Sequence, residues 1–326
     1  MINANEQRSV MNNLPNIVFL DEYSICGCDL TAIRKFGNYT GYDFTYPGQV
    51  VTRCADADII ITNKVVLDAA TIRQLPRLRL ICVAATGMNN VDLETAGECN
   101  IVVRNAAGYS THSVAETTLS SALALLRQIG YYDRYVKSGE YAASDRPFHF
   151  GYPTRQLYGK HWGIIGLGNI GREVARLAEA FGCEVNYASV SGVARQEAWS
   201  IRPLDELLSW ADVISIHSPL NERTRNLITA EKLALMKPTA LLVNVARGGI
   251  VDEAALAEAL DNDRLGGAAF DVYDGEPIAA DNPLLAVKQA HKLLLSPHNA
   301  WSSLEAIDTL IGCIAQNIER FLMSNS

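Results

Sequence analysis

The sequence predicts an α/β protein built on two parallel sheets. Short apolar runs alternate with longer amphipathic segments through almost all of the 326 residues, the pattern of helices layered on sheets. The runs fall into two series separated by a long Ala- and Leu-rich stretch. One run in the second series ends in a glycine-rich turn that opens a helix. A chain of this length exceeds what one typical core covers and suits two domains.

The first series comprises residues 17–20, 58–62, 80–84 and 101–103, with amphipathic segments such as 67–74 between them. It predicts one small parallel sheet with helices on its faces. Residues 113–137 then read as one long helix, because Ala and Leu favour helix over strand. Residues 145–155, with Pro147, Gly151 and Pro153, read as loop. The second series is 162–166, 185–187, 213–217, 241–245, 268–271 and 293–296. Six such strands fit a doubly wound dinucleotide domain of the Rossmann type. The last helix, 303–322, follows the final strand and is expected to cross back to the first domain.

Composition narrows the partners. With 48% hydrophobic and 20% charged residues, the chain reads as an ordinary globular protein. A net charge of −8 argues against a nucleic-acid or acidic-membrane surface, so an anionic substrate must be held by local groups. Residues 1–13 are polar and lack the apolar core of a secretory signal. No run of about 18 apolar residues occurs. The seven cysteines are scattered through apolar contexts, and the one close pair, Cys26-Gly27-Cys28, has neither redox-motif nor zinc spacing. Together these features point to a cytoplasmic protein with reduced, buried thiols and no metal site. Residues 1–10 carry no periodic apolar face and are expected to be dispensable for stability.

The turn Gly166-Leu167-Gly168-Asn169-Ile170-Gly171 closes the strand 162–165 and opens the helix 169–181. That context turns a weak motif into a specific one. Gly166 permits the tight turn, Gly168 lets backbone approach a pyrophosphate, and Gly171 lets helix pack on strand. The N–H groups of Asn169 and Ile170 then face the phosphates at the positive end of the helix. An acidic residue about 20 positions on would bind the adenosine ribose, and that place falls on Ser189. No Asp or Glu lies between Val185 and Gln196. Nothing there repels a 2′-phosphate, so NADP is admitted and slightly favoured, with Arg195 or Arg202 as the available cation.

Three further segments follow predicted strand ends, where open α/β sheets bind ligands. In Asn244-Val245-Ala246-Arg247-Gly248-Gly249, Arg247 offers a planar fork for a carboxylate. The segments Asp271–Pro277 and Ser296–Trp301 supply Glu276 and His298. Histidine is the natural proton donor for ketone reduction near neutral pH. A carboxylate bonded to the imidazole favours its protonated form and fixes its orientation. Arg247, Glu276 and His298 are therefore the candidate catalytic residues.

The ordered series G-L-G-N-I-G, H-S-P-L-N-E-R-T, N-V-A-R-G-G-I-V-D-E, A-A-F-D-V-Y-D-G-E-P and S-P-H-N-A-W resembles the D-isomer-specific 2-hydroxyacid dehydrogenases, from about Ile17 to the C-terminus. The resemblance implies a smaller flavodoxin-like α/β substrate domain, residues 1–107 and 297–326, with a dinucleotide-binding domain, 108–296, inserted in it. It implies a homodimer made by the long helices after the first crossover, and a catalytic triad on Arg247, Glu276 and His298. By the same matching, Asn169 and Ile170 cradle the pyrophosphate and Asp271 holds the nicotinamide amide. Ser218, Pro219, Thr224, Val245 and Ala246 line the cofactor cleft. The loop Thr86-Gly87-Met88 meets the substrate carboxylate together with Arg247. NAD is the usual cofactor of the family, and Ser189 is the departure that opens NADP.

Within the family, A-A-T-G-M-N-N-V-D-L, N-A-A-G-Y-S-T-H-S-V-A-E and P-H-N-A-W are most similar to glycerate dehydrogenases (hydroxypyruvate reductases), with Trp301 as a substrate-side residue. Formate dehydrogenases of this superfamily carry Gln where this chain has Glu276, because their reaction moves no proton. The alternatives are a D-lactate-type dehydrogenase and an NAD-gated binding module of the corepressor type. The corepressors share the fold and a similar triad, and they carry long flanking extensions that have no counterpart here.

Overall fold

The computed structural model describes residues 14–25, 27–192 and 196–324. The tail 1–10, Cys26 and Arg195 lie outside the described residues. The chain forms two compact units. One is made by both ends, up to Ser110 and from Ser302 onward, and the other, Thr111–Trp301, is inserted between them.

The first unit is a five-stranded parallel sheet: β1 (Asn16–Phe19), β2 (Asn38–Gly41), β3 (Ile59–Thr62), β4 (Leu80–Val83) and β5 (Val102–Asn105). Its order is β2-β1-β3-β4-β5, the flavodoxin-like arrangement. β3 (Ile-Ile-Ile-Thr) and β4 (Leu-Ile-Cys-Val) are wholly buried, as continuous apolar runs must be when helices cover both faces. β2 was absent from the sequence reading. It is an edge strand, largely exposed, and Asn-Tyr-Thr-Gly carries no buried pattern to detect. The C-terminal helix Leu304–Ser324 packs on β4 and on the short helix Thr31–Arg34. It buries Ile307, Leu310, Ile311, Ile314, Ile318 and Phe321 at helical spacing.

The second unit holds β6 (His161–Ile165), β7 (Glu184–Ala188), β8 (Ser200–Ile201), β9 (Val213–Ile216), β10 (Leu241–Asn244), β11 (Gly267–Phe270) and β12 (Leu293–Leu295). The seven strands are parallel, in the order β12-β11-β10-β9-β6-β7-β8. The chain reverses direction across the sheet between β6 and β9, and this switch point is where a doubly wound fold opens its ligand crevice. The two-residue β8 also escaped the sequence reading, for the same reason as β2: it is short, exposed and at an edge.

The expected single helix over 113–137 is two helices, Thr111–Arg127 and Ile129–Lys137. Gln128 between them is left-handed, with φ 52°, and its side-chain amide donates to the Leu125 carbonyl at 2.9 Å. That bond satisfies a carbonyl released at the helix end. The first helix buries an apolar stripe from Val114 to Leu126, whereas the second buries nothing, so one continuous periodicity has no core to follow. Of the described cysteines, Cys99 is exposed rather than buried, because it caps the end of the helix Leu93–Glu98 on the surface. Among the described residues no helix is long and apolar enough to cross a membrane.

Candidate active site

The glycine turn after β6 is built as its sequence predicts. Gly166 has φ 93°, and a Cβ there would lie 2.4 Å from Ser218 Oγ and 3.0 Å from the Ser218 N–H nitrogen. A Cβ on Gly171 would lie 2.4 Å from the Gly166 carbonyl oxygen, so the helix Asn169–Ala180 can sit on the turn only with glycine there. Gly168 is the N-cap and has no side-chain cap. A Cβ built on it meets nothing within 4 Å. The helix therefore presents N–H groups without side-chain caps across an unobstructed glycine, and these residues fit a dinucleotide pyrophosphate.

Ser218 and Thr224, both buried, spend their hydroxyls on backbone carbonyls, Ser218 on the end of β6 and Thr224 within the loop after β9. Ser218 Oγ donates to the Ile165 carbonyl at 3.0 Å, and Thr224 Oγ1 donates to the Pro219 carbonyl at 2.7 Å. Their part in a cofactor cleft is to shape it. Val245 and Ala246 follow β10 in a turn that Asn244 ties, accepting from the Ala246 N–H and donating to the Arg247 carbonyl.

Arg247, Glu276 and His298 follow β10, β11 and β12, three adjacent strands, so residues far apart in sequence arrive at one end of one sheet. His298 Nδ1 lies 2.6 Å from Glu276 Oε2, with the two side chains 21% and 30% exposed. A carboxylate on Nδ1 leaves Nε2 as the nitrogen that can present a proton. Arg247 donates through Nη1 to the Ala246 carbonyl at 2.6 Å, and no described carboxylate forms an ion pair with it. Gly248 follows it, and a Cβ there would lie 1.8 Å from the Tyr273 carbonyl oxygen. Only glycine lets the Arg247 turn pack onto the peptide that leads to Glu276.

Comparisons with known proteins point to one family. Residues 119–300 match the family model described as D-isomer specific 2-hydroxyacid dehydrogenase, NAD binding domain. The chain is 39% identical to a glycerate dehydrogenase of Methylorubrum extorquens, covering 94% of this chain and 96% of that one. It is 34% identical to a hydroxypyruvate reductase of Blautia hydrogenotrophica, again over 94% and 96%. The chain belongs to the D-isomer-specific 2-hydroxyacid dehydrogenase family. Among solved structures, an acyclic imino acid reductase in complex with NADPH and D-Arg superposes with a TM-score of 0.85 at 27% identity, over 95% and 97% of the two chains.

In this dehydrogenase the sequence reading missed what holds His298. His298 is itself left-handed, with φ 53°, a conformation that persists only where its surroundings enforce it. Asp271, buried at the end of β11, accepts from Ser296 Oγ at 2.5 Å and from the N–H groups of Asn299 and Ala300, each at 3.0 Å. The carboxylate that the family resemblance gives to the nicotinamide amide is thus already engaged in fixing the His298 loop. Trp301 Nε1 donates to the His298 carbonyl at 2.9 Å, which commits its polar atom to the same loop. A buried Asp at a strand end was the available signal, and it was read only through the resemblance.

His217 ends a hydrogen-bonded chain that starts at the buried Trp162. Trp162 Nε1 donates to Ser215 Oγ at 2.9 Å, and Ser215 Oγ lies 3.0 Å from His217 Nε2. Burial pushes the His217 pKa down to about 3, so the ring is neutral at physiological pH. Its Nδ1 has no partner among the described residues, beside the turn that fits the dinucleotide.

Ser189 follows β7, half-buried, with its hydroxyl 3.3 Å from that of Ser191. Arg202 is not the cation expected there: its guanidinium lies over the Trp210 ring, 4.8 Å from the centroid. In the first unit, Thr86, Gly87 and Met88 form the loop after β4. The Thr86 carbonyl accepts from Asn105 Nδ2 at 2.6 Å and its hydroxyl donates to the Ala106 carbonyl at 3.3 Å.

Proposed function

We propose that this dehydrogenase interconverts a small 2-keto acid and its D-2-hydroxy acid, with hydroxypyruvate and D-glycerate as the pair it handles best and glyoxylate next. The 2.6 Å contact between His298 and Glu276 carries the reading. When bound, the nicotinamide dinucleotide supplies the hydride. Glu276 keeps a proton on Nδ1 and orients the ring, and His298 gives up its Nε2 proton to the carbonyl oxygen as that oxygen gains charge. Arg247 grips the substrate carboxylate through its fork. Asp271 and Trp301 keep His298 in place. The glycerate dehydrogenase and hydroxypyruvate reductase relatives support this choice of substrate.

The second unit is assigned to the dinucleotide and the first to the substrate. Both NADH and NADPH are accepted in this reading, with NADPH preferred. The absence of acid between Val185 and Gln196 supports that, as does the NADPH of the related imino acid reductase. A homodimer is proposed through the helix Ile129–Lys137 and the segment after it, which expose Ile129, Val136, Phe148 and Phe150. The test is a panel of hydroxypyruvate, glyoxylate, pyruvate and branched 2-keto acids with each cofactor. Turnover of hydroxypyruvate no faster than of pyruvate would overturn the substrate assignment.

A further inference from the structure

We propose that Arg223 is the residue that selects a 2′-phosphorylated adenosine, a role for which the sequence offered Arg195 and Arg202. Arg223 lies in the loop after β9, yet its Nη1 donates to the Ser191 carbonyl in the loop after β7, 32 residues away, at 3.1 Å. In the sheet, β6 lies between β7 and β9. The side chain therefore spans the C-terminal end of β6, where the turn Gly166–Gly171 fits the pyrophosphate, and reaches the side on which Ser189 stands in the place of the ribose-binding acid. An adenosine attached to a pyrophosphate on that turn has its ribose next to Ser189, with the guanidinium at the rim.

The backbone under Arg223 is built to hold this reach. Its N–H donates to Asn221 Oδ1 at 2.9 Å, and the Asn221 N–H donates to the buried Thr224 hydroxyl at 2.8 Å. The Ser191 carbonyl takes only one of the five guanidinium N–H groups, so the rest of the fork can meet phosphate oxygens. The Ser189 hydroxyl, 3.3 Å from that of Ser191, stands at the same place. The nearest acid of the β7–β8 connection, Glu197, is held by Arg172 through bonds of 3.0 and 2.6 Å, so it neither repels a phosphate nor competes for Arg223. Glu222 is the one acid beside Arg223 in sequence, and it is exposed. Cation, hydroxyls and neutralised acid together make a site for a phosphate monoester on the ribose.

The inference rests on the dinucleotide reading of the turn, so its test is binding of adenosine fragments rather than turnover. Calorimetry on the full chain compares 2′,5′-ADP with 5′-AMP. Wild type should bind 2′,5′-ADP tighter by about tenfold or more, the order expected for charged hydrogen bonds at a half-exposed site. Arg223→Gln should remove that ratio while 5′-AMP affinity stays the same, and Arg223→Lys should keep part of it. Ser189→Asp should reverse the preference through like-charge repulsion. A wild-type ratio near one, or a ratio that survives in Arg223→Gln, overturns the proposal. If neither fragment binds, the dinucleotide reading of the turn fails with it. A preserved ratio without turnover of any 2-keto acid leaves Arg223 in place and overturns the substrate reading alone. Unchanged 5′-AMP binding shows that the variants are folded.

Discussion

Replacing Asp271 with Asn tests the idea that this carboxylate holds the catalytic loop. Three donors converge on it: Ser296 Oγ and the Asn299 N–H on one oxygen, and the Ala300 N–H on the other. An Asn side chain can keep the first oxygen, but its NH2 then faces the Ala300 N–H where an acceptor stood. A buried backbone donor left unpaired costs about 1–3 kcal/mol. Losing charge assistance on the two remaining bonds adds about 1 kcal/mol, for a total of about 2–4 kcal/mol. At roughly 2–4 °C per kcal/mol for a unit of this size, the melting temperature should fall by about 4–16 °C. The assay is thermal melting of the dinucleotide-free protein, followed by kcat for reduction, which should also drop because His298 loses its fixed position. The dinucleotide-free form is chosen because a carboxylate serving only a nicotinamide amide would leave its melting unchanged. A melting temperature within about 2 °C of wild type, with kcat within twofold, would refute the reasoning.

Other outcomes follow from the same geometry. His298→Gln should lower kcat by at least about 10²-fold, the usual scale for a lost acid–base group. Glu276→Gln removes the carboxylate that lies 2.6 Å from Nδ1 and orients the ring, so kcat for reduction should fall, and an unchanged kcat breaks the pair. Arg247→Lys should lose most of kcat/KM, since an ammonium cannot make two parallel bonds to a carboxylate, and near-normal kinetics would remove Arg247 from the site. His217, with its pKa pushed down to about 3, should show no ring titration by NMR between pH 5 and 8. Because only the unfolded chain binds that proton below about pH 6.5, His217 should make stability fall as pH drops from there. A midpoint inside the observed range would contradict its burial.

Much of the site was legible because its chemistry is local. Glycines at 166, 168 and 171 between a strand and a helix specify a phosphate turn with no knowledge of the rest of the chain. Arg247, Glu276 and His298 stand in motifs that each carry their own context. Elements that bury something were legible too, including the strands β3, β4, β9 and β10. The edge strands β2 and β8 were not, since an exposed strand has no hydrophobic alternation and is made only by its neighbour. The break at Gln128 was hidden for a related reason: the Ala- and Leu-rich sequence before it favours helix, residues 129–137 hold no proline to mark a stop, and the left-handed residue is stabilised by a bond to Leu125.

The sequence by itself determined the class of fold, the turn that receives phosphates and the residues able to move a proton and hold a carboxylate. These depend on backbone preferences and side-chain chemistry within a few positions. The tertiary structure decided which of those residues meet. It placed Glu276 on His298, turned Asp271 onto the His298 loop, carried Arg202 to Trp210 and brought Arg223 across β6 to Ser191. Each of these pairings depends on which strands lie side by side and where their ends point, and that order is set by burial summed over the whole sheet rather than by any segment alone.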